Sequence, residues 1–93
     1  AVNELYAVVA MKVAKELDIE IPNKLQVIGF TDGMLSKHAT PALSTVSQHG
    51  EAMGEKAAEL LIRRIDERVD GGSVQPMKTT IISTDLILRN STK

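Results

Sequence analysis

An apolar helical stripe hands over to an apolar strand early in this chain, and that order constrains the fold more than any other feature. Leu5, Val9, Val13 and Leu17 recur every fourth position and make one apolar face, widened by Val8, Ala10, Met11 and Ala14. Asn3 stands where a cap would stand, so the spacing predicts a helix from about Glu4 to Leu17. Asp18 to Lys24 is a connection with Pro22 as a helix terminator, and Leu25-Gln-Val-Ile-Gly-Phe30 then reads as a short, largely buried strand. Helix, short loop and buried strand form the second half of a βαβ unit, whose first strand is expected upstream of Ala1. The chain therefore reads as a fragment of an α/β domain. The rival reading is a small α+β domain complete in itself.

Further along, Gly33 to Pro41 reads as loop with one helical turn around Met34 to Lys37, and Leu43 to Ser47 is β-prone. A second helix is predicted over Glu51 to Val69. Met53, Ala57, Leu61, Ile65 and Val69 fall at four-residue spacing there, and Leu60 and Ile62 broaden the stripe. Glu51 and Glu55 lie early and Arg63, Arg64 and Arg68 late, as the helix dipole favours. Glu59 and Arg63 make a favourably ordered i,i+4 pair. Asp70-Gly-Gly-Ser73 ends the helix. Thr79 to Leu88 is extended, with its alternation interrupted near Ser83-Thr84-Asp85 as between two short strands.

Composition excludes several classes of function. Eleven basic residues stand against twelve acidic ones, a net charge of -1, so the chain has no field to draw in nucleic acid. Tyr6 and Phe30 are the only aromatic residues, too few for a base-stacking platform. There is no cysteine, and His38 and His49 carry no metal-ligand spacing, so neither a metal nor a cofactor is expected. Ser36, Ser44 and Ser47 lack a nucleophile elbow, no glycine-rich phosphate cradle occurs, and Asp66, Asp70 and Asp85 show no paired-carboxylate spacing. No catalytic residue is expected. No apolar run approaches the ~20 residues that cross a bilayer.

Open α/β sheets gather their ligands beyond the carboxyl ends of the strands. Thr31 and Asp32 follow the first strand, offering a hydroxyl and a carboxylate suited to sugar hydroxyls, and Asp32-Gly33 is equally a common turn pair. Gln48 ends the second strand with an amide able to reach across a crevice or to rest in solvent. Asn3 either caps its helix, which alone accounts for it, or turns its amide to a ligand. Together these four residues suggest a small-molecule sensing surface.

Five segments, in order, resemble the lactose- and purine-repressor family of bacterial transcription regulators. They are Asn3-Glu4-x-x-Ala7, Ile21-Pro22 through Val27-Ile28-Gly29-Phe30-x-Asp32, Thr40-Pro41-x-Leu43-Ser44-Thr45-Val46-x-Gln48, Met53-Gly54-x-x-Ala57-x-x-Leu60-Leu61, and Leu88-Arg89-Asn90-Ser91-Thr92. The resemblance covers essentially the whole chain, as the carboxyl-terminal part of that family's effector-binding core. It implies a periplasmic-binding-protein-like, two-lobed open parallel sheet. Residues 1–46 would belong to the carboxyl-side lobe, 47–83 to a crossover, long helix and strand of the amino-side lobe, and 84–93 to a return strand. It further implies a cytoplasmic repressor that dimerises or forms a tetramer, binds DNA through an amino-terminal helix-turn-helix, and senses a sugar-like effector between its lobes.

By position the resemblance gives Asn3, Thr31 and Gln48 effector-facing roles. Thr31 stands where many members have an aspartate, and Glu4 where an aspartate often follows the asparagine. Asp32 is then expected to take over the carboxylate role, or the effector to be phosphorylated or less rich in hydroxyls. The alternatives are a periplasmic sugar-binding protein of a transport system and a stand-alone interaction module.

Overall fold

Asn3 opens the first helix. Its backbone is extended, and its side-chain oxygen accepts a hydrogen bond from the Tyr6 N–H at 2.9 Å, which satisfies one of the donors a helix start leaves unpaired. Helix α1 runs Glu4–Glu16. The computed structural model, which describes residues 1–73 and 75–93, continues with β1 (Ile28–Phe30), α2 (Met34–His38), β2 (Ser44–Ser47), α3 (Gly50–Val69) and β3 (Asp85–Ile87). The sheet order is β1-β2-β3. Strands β1 and β2 are parallel, with Ile28 opposite Ser44, whereas β2 and β3 are antiparallel, with Ser47 opposite Asp85.

Helix α1 packs its Ala7 and Met11 on Val27 and Leu43, and Val8, Ile21 and Ala39 complete the cluster. Small residues set the distance. A Cβ added at Gly29 would lie 3.0 Å from the Leu43 side chain and 3.3 Å from the Ala7 Cβ, tighter than ordinary contact, so the small Gly29 and Ala7 let the helix lie close against β1. Ala7 and Leu43 have no exposed surface at all.

Two of the predicted strands come out shorter than their sequences suggest. Of Leu25–Phe30, only the last three residues are strand, and burial alternates: Val27 and Gly29 are buried, whereas Leu25, Ile28 and Phe30 remain exposed. Helix α1 covers one face of the sheet, and a pleated strand sends every second side chain to the other. In Thr79–Leu88, only Asp85–Ile87 forms a ladder; 79–84 has none. A strand needs a neighbour to take its N–H and C=O groups, and β2 offers an edge only to the last part of that segment.

The carboxyl-terminal residues stitch the first two strands together. Ser91 Oγ donates to the Val27 carbonyl at 2.6 Å and accepts the Ser44 N–H at 2.8 Å. The Ser91 backbone adds bonds to Val27 N–H at 3.0 Å and Ala42 C=O at 2.9 Å. Four bonds around one fully buried serine close the gap where β1 and β2 have not yet begun to pair.

The chain divides into two compact units, Ala1–Gln48 with Thr84–Lys93, and His49–Ser83. The first holds the sheet, α1 and α2. The second holds α3 and the segment after it. No residue of α3 is buried, and its apolar stripe, with Leu61, Ile62, Ile65 and Val69, is exposed. The predicted Glu59–Arg63 pair forms at 2.9 Å, and Arg64 donates to the Gln75 carbonyl at 3.0 Å. No helix among the described residues is long and apolar enough to cross a membrane.

Candidate functional site

Parallel pairing brings the carboxyl ends of β1 and β2 to one edge of the sheet. Thr31 continues the ladder by one bond, its N–H donating to the Val46 carbonyl at 3.0 Å. Its backbone then turns abruptly, with φ at +78°. For a β-branched residue this left-handed region is a true outlier and costs on the order of 1–3 kcal/mol, so it persists only where its surroundings hold it. The turn points the Thr31 hydroxyl at Gln48, and Thr31 Oγ1 donates to Gln48 Oε1 at 2.9 Å. Two of the four sequence-predicted residues are thus in contact at the strand ends.

Asp32 lies one residue on and faces inward. Its Oδ1 meets Arg89 Nη2 at 2.7 Å, both side chains being 17% exposed, and accepts a hydrogen bond from Thr45 Oγ1 at 3.0 Å. Burial pushes the Asp32 carboxyl up. The hydrogen bonds from Arg89 and Thr45, with the positive charges of Arg89 and Lys37, outweigh that push and hold it below the usual carboxylate range. Arg89 is itself fixed, its Nη1 donating to the Leu43 carbonyl at 2.8 Å and its backbone N–H to Ser44 Oγ at 2.8 Å. The geometry gives Asp32 the role of a brace inside the fold. Asn3, fourth of the predicted residues, uses its oxygen in the helix cap, which leaves its amide nitrogen as the polar group it could offer a ligand.

Glu4 adds a tie that sequence reasoning did not find. Its Oε2 accepts from the Gly33 N–H at 3.0 Å, the Ser36 N–H at 3.2 Å and the Ser36 hydroxyl at 2.7 Å. The start of α1 therefore holds both the turn after Asp32 and the first turn of α2. A Cβ at Gly33 would meet that carboxylate and push it aside, so a larger residue there would disturb the three bonds Glu4 accepts. Arg89 was legible only as part of a terminal motif, because its partners on β1 and β2 lie in distant segments. Asp85, passed over for want of a paired spacing, is set opposite Ser47 by the strand register and so joins the same edge.

The edge offers hydroxyl and amide groups for hydrogen bonding to a polar ligand. No described group of three His, Cys, Asp or Glu could hold a metal ion. A hollow of about 540 Å³ in the same unit lies elsewhere, with Met11, Ile21 and Pro41 among the residues that line it. None of the four candidate residues lines it, and the chemistry at the carboxyl edge is the better guide to function.

A periplasmic binding protein-like domain family matches residues 1–92. Among curated relatives, the HTH-type transcriptional regulator GalR of Streptococcus thermophilus is 33% identical over 96 residues, covering 100% of this chain and 27% of that protein. Among solved structures, the transcriptional regulator CelR–cellobiose complex is 28% identical with a TM-score of 0.84, the match covering 98% of this chain and 26% of that one. A periplasmic binding protein/LacI transcriptional regulator from Alkaliphilus metalliredigens QYMF, complexed with D-xylulofuranose, is 29% identical with a TM-score of 0.84 over 99% of this chain and 33% of that one. The chain thus spans about a quarter to a third of the length of these relatives.

Proposed function

Because the chain belongs to the periplasmic binding protein-like domain family, we propose that it is the carboxyl-terminal part of the effector-binding core of a transcriptional regulator that senses a sugar or sugar derivative. The observation that carries this reading is the Thr31–Gln48 contact at the carboxyl edge of two parallel strands. That is where an open α/β sheet presents groups to a ligand, and the relatives that share the fold include regulators solved with cellobiose and with D-xylulofuranose. Thr31, Gln48 and the Asn3 amide nitrogen are the proposed contacts, with Asp32 bracing them. The unit Ala1–Gln48 with Thr84–Lys93 is assigned to the carboxyl-side lobe, and His49–Ser83 to the amino-side lobe.

The whole protein is then a cytoplasmic homodimer or higher oligomer that binds DNA through a separate amino-terminal domain. An effector changes DNA affinity only to the extent that it binds two states of the core unequally. Nothing at the edge pairs a nucleophile with a base, which fits a sensor better than an enzyme.

Thermal unfolding of the full-length protein with cellobiose, D-xylulose, arabinose, sugar phosphates, nucleosides and purines tests the reading. One class raises the melting temperature, by an amount corresponding to about 2.7 kcal/mol at a hundredfold excess over Kd. Thr31→Ala and Gln48→Ala each reduce the shift. A flat response across the panel overturns the sensing role.

A further inference from the structure

We propose that Arg89 is a positioning residue for the ligand contact at Thr31, acting through Asp32. The proposal rests on the sensing reading above, and it assigns a function to a residue outside the strand ends themselves. Thr31 at φ +78° is held from three directions. The Val46 carbonyl takes its N–H, Gln48 takes its hydroxyl, and the adjacent Asp32 is anchored by Arg89 at 2.7 Å and Thr45 at 3.0 Å. The Thr31–Gln48 bond is exposed and competes with water, so the side-chain restraint with the most force is the partly buried Asp32 anchor.

Arg89 suits this task because its planar fork is used on both arms. One η nitrogen grips Asp32, while the other grips the Leu43 carbonyl at 2.8 Å and reaches Thr45 Oγ1 at 3.4 Å. A lysine has one point of charge and cannot span the carboxylate and the carbonyl together. A residue two positions past β3 therefore holds the turn that follows β1, across the whole width of the sheet. Without that grip the strained threonine relaxes toward ordinary backbone angles and its hydroxyl leaves the edge.

A brace that served stability alone would leave affinity untouched at temperatures well below melting. The test is calorimetric titration of the full-length protein with the panel sugar that shifts wild-type melting, repeated on Arg89→Lys, Thr31→Gly and the double variant. Arg89→Lys weakens binding about tenfold or more, while adding little to the loss already caused by Thr31→Gly, because coupled residues are not additive. Thr31→Gly also melts higher than wild type without ligand, since glycine adopts the positive φ without strain. Asp32→Asn breaks the same ion pair from the other end, and it carries the test where Arg89→Lys does not fold. Wild-type affinity in a folded Arg89→Lys or Asp32→Asn protein overturns the positioning role alone. So do additive losses in the double variant, or a Thr31→Gly protein that melts lower. A wild type that answers to no sugar overturns the sensing reading, and the proposal with it.

Discussion

Thr31 and Asp32 are neighbours in sequence with opposite tasks: one presents a hydroxyl at the edge, and the other turns its partly buried charge inward to hold the turn. The Asp32 task has a pH signature. Its carboxyl is held below its ordinary value of 3.8, so the ionised form favours the fold above that value. The gain is lost as pH falls through the lower folded value. Asp32→Asn is expected to cost about 2 kcal/mol at neutral pH, and urea unfolding should show the gap to wild type narrowing below about pH 4. An equal gap at both pH values would mean that the ion pair contributes nothing there. Ser91→Ala should cost a similar ~2 kcal/mol, because it leaves the buried Ser44 N–H and the Val27 carbonyl each short of a partner. Equilibrium denaturation measures both.

Among the elements, α2 is the one that cannot stand alone. It has five residues, a glycine at its N-cap and no side-chain cap of its own. Glu4 on α1 supplies the missing acceptor thirty-two residues away from Ser36. Glu4→Ala should therefore speed amide hydrogen exchange through α2 and lower stability by about 1–3 kcal/mol. By contrast Glu59→Ala on α3 breaks exposed pairs with Lys56 and Arg63, and should change stability by less than about 1 kcal/mol. An Asn3 cap and a Glu59–Arg63 pair are legible in sequence because their partners lie within one helical turn. The Glu4 and Arg89 ties are not, because nothing local marks which distant backbone group a carboxylate or a guanidinium will meet.

For the molecule as a whole, the decisive quantity is apolar surface left uncovered. Helix α3 buries none of its residues, and Met53, Leu61, Ile62, Ile65, Val69, Met77 and Ile81 are all exposed. Such a surface is normally covered by another element or another chain. The 93-residue chain expressed by itself should self-associate or melt at low temperature, with a midpoint that depends on concentration in sedimentation and thermal scans. A monomer that unfolds cooperatively and independently of concentration would contradict this.

The sequence alone determined the order and type of the main elements, because helical and strand periodicities, caps and turn residues act over a few positions. It also placed Thr31, Asp32 and Gln48 at strand ends, since a strand's end is a local property. Only the tertiary structure decided what each does there. Parallel pairing of β1 and β2 brought Thr31 to Gln48, and the antiparallel return of β3 carried Arg89 to Asp32 and turned that carboxylate inward. Strand extents were decided the same way, because a β-prone segment becomes a strand only where a neighbour accepts its backbone hydrogen bonds.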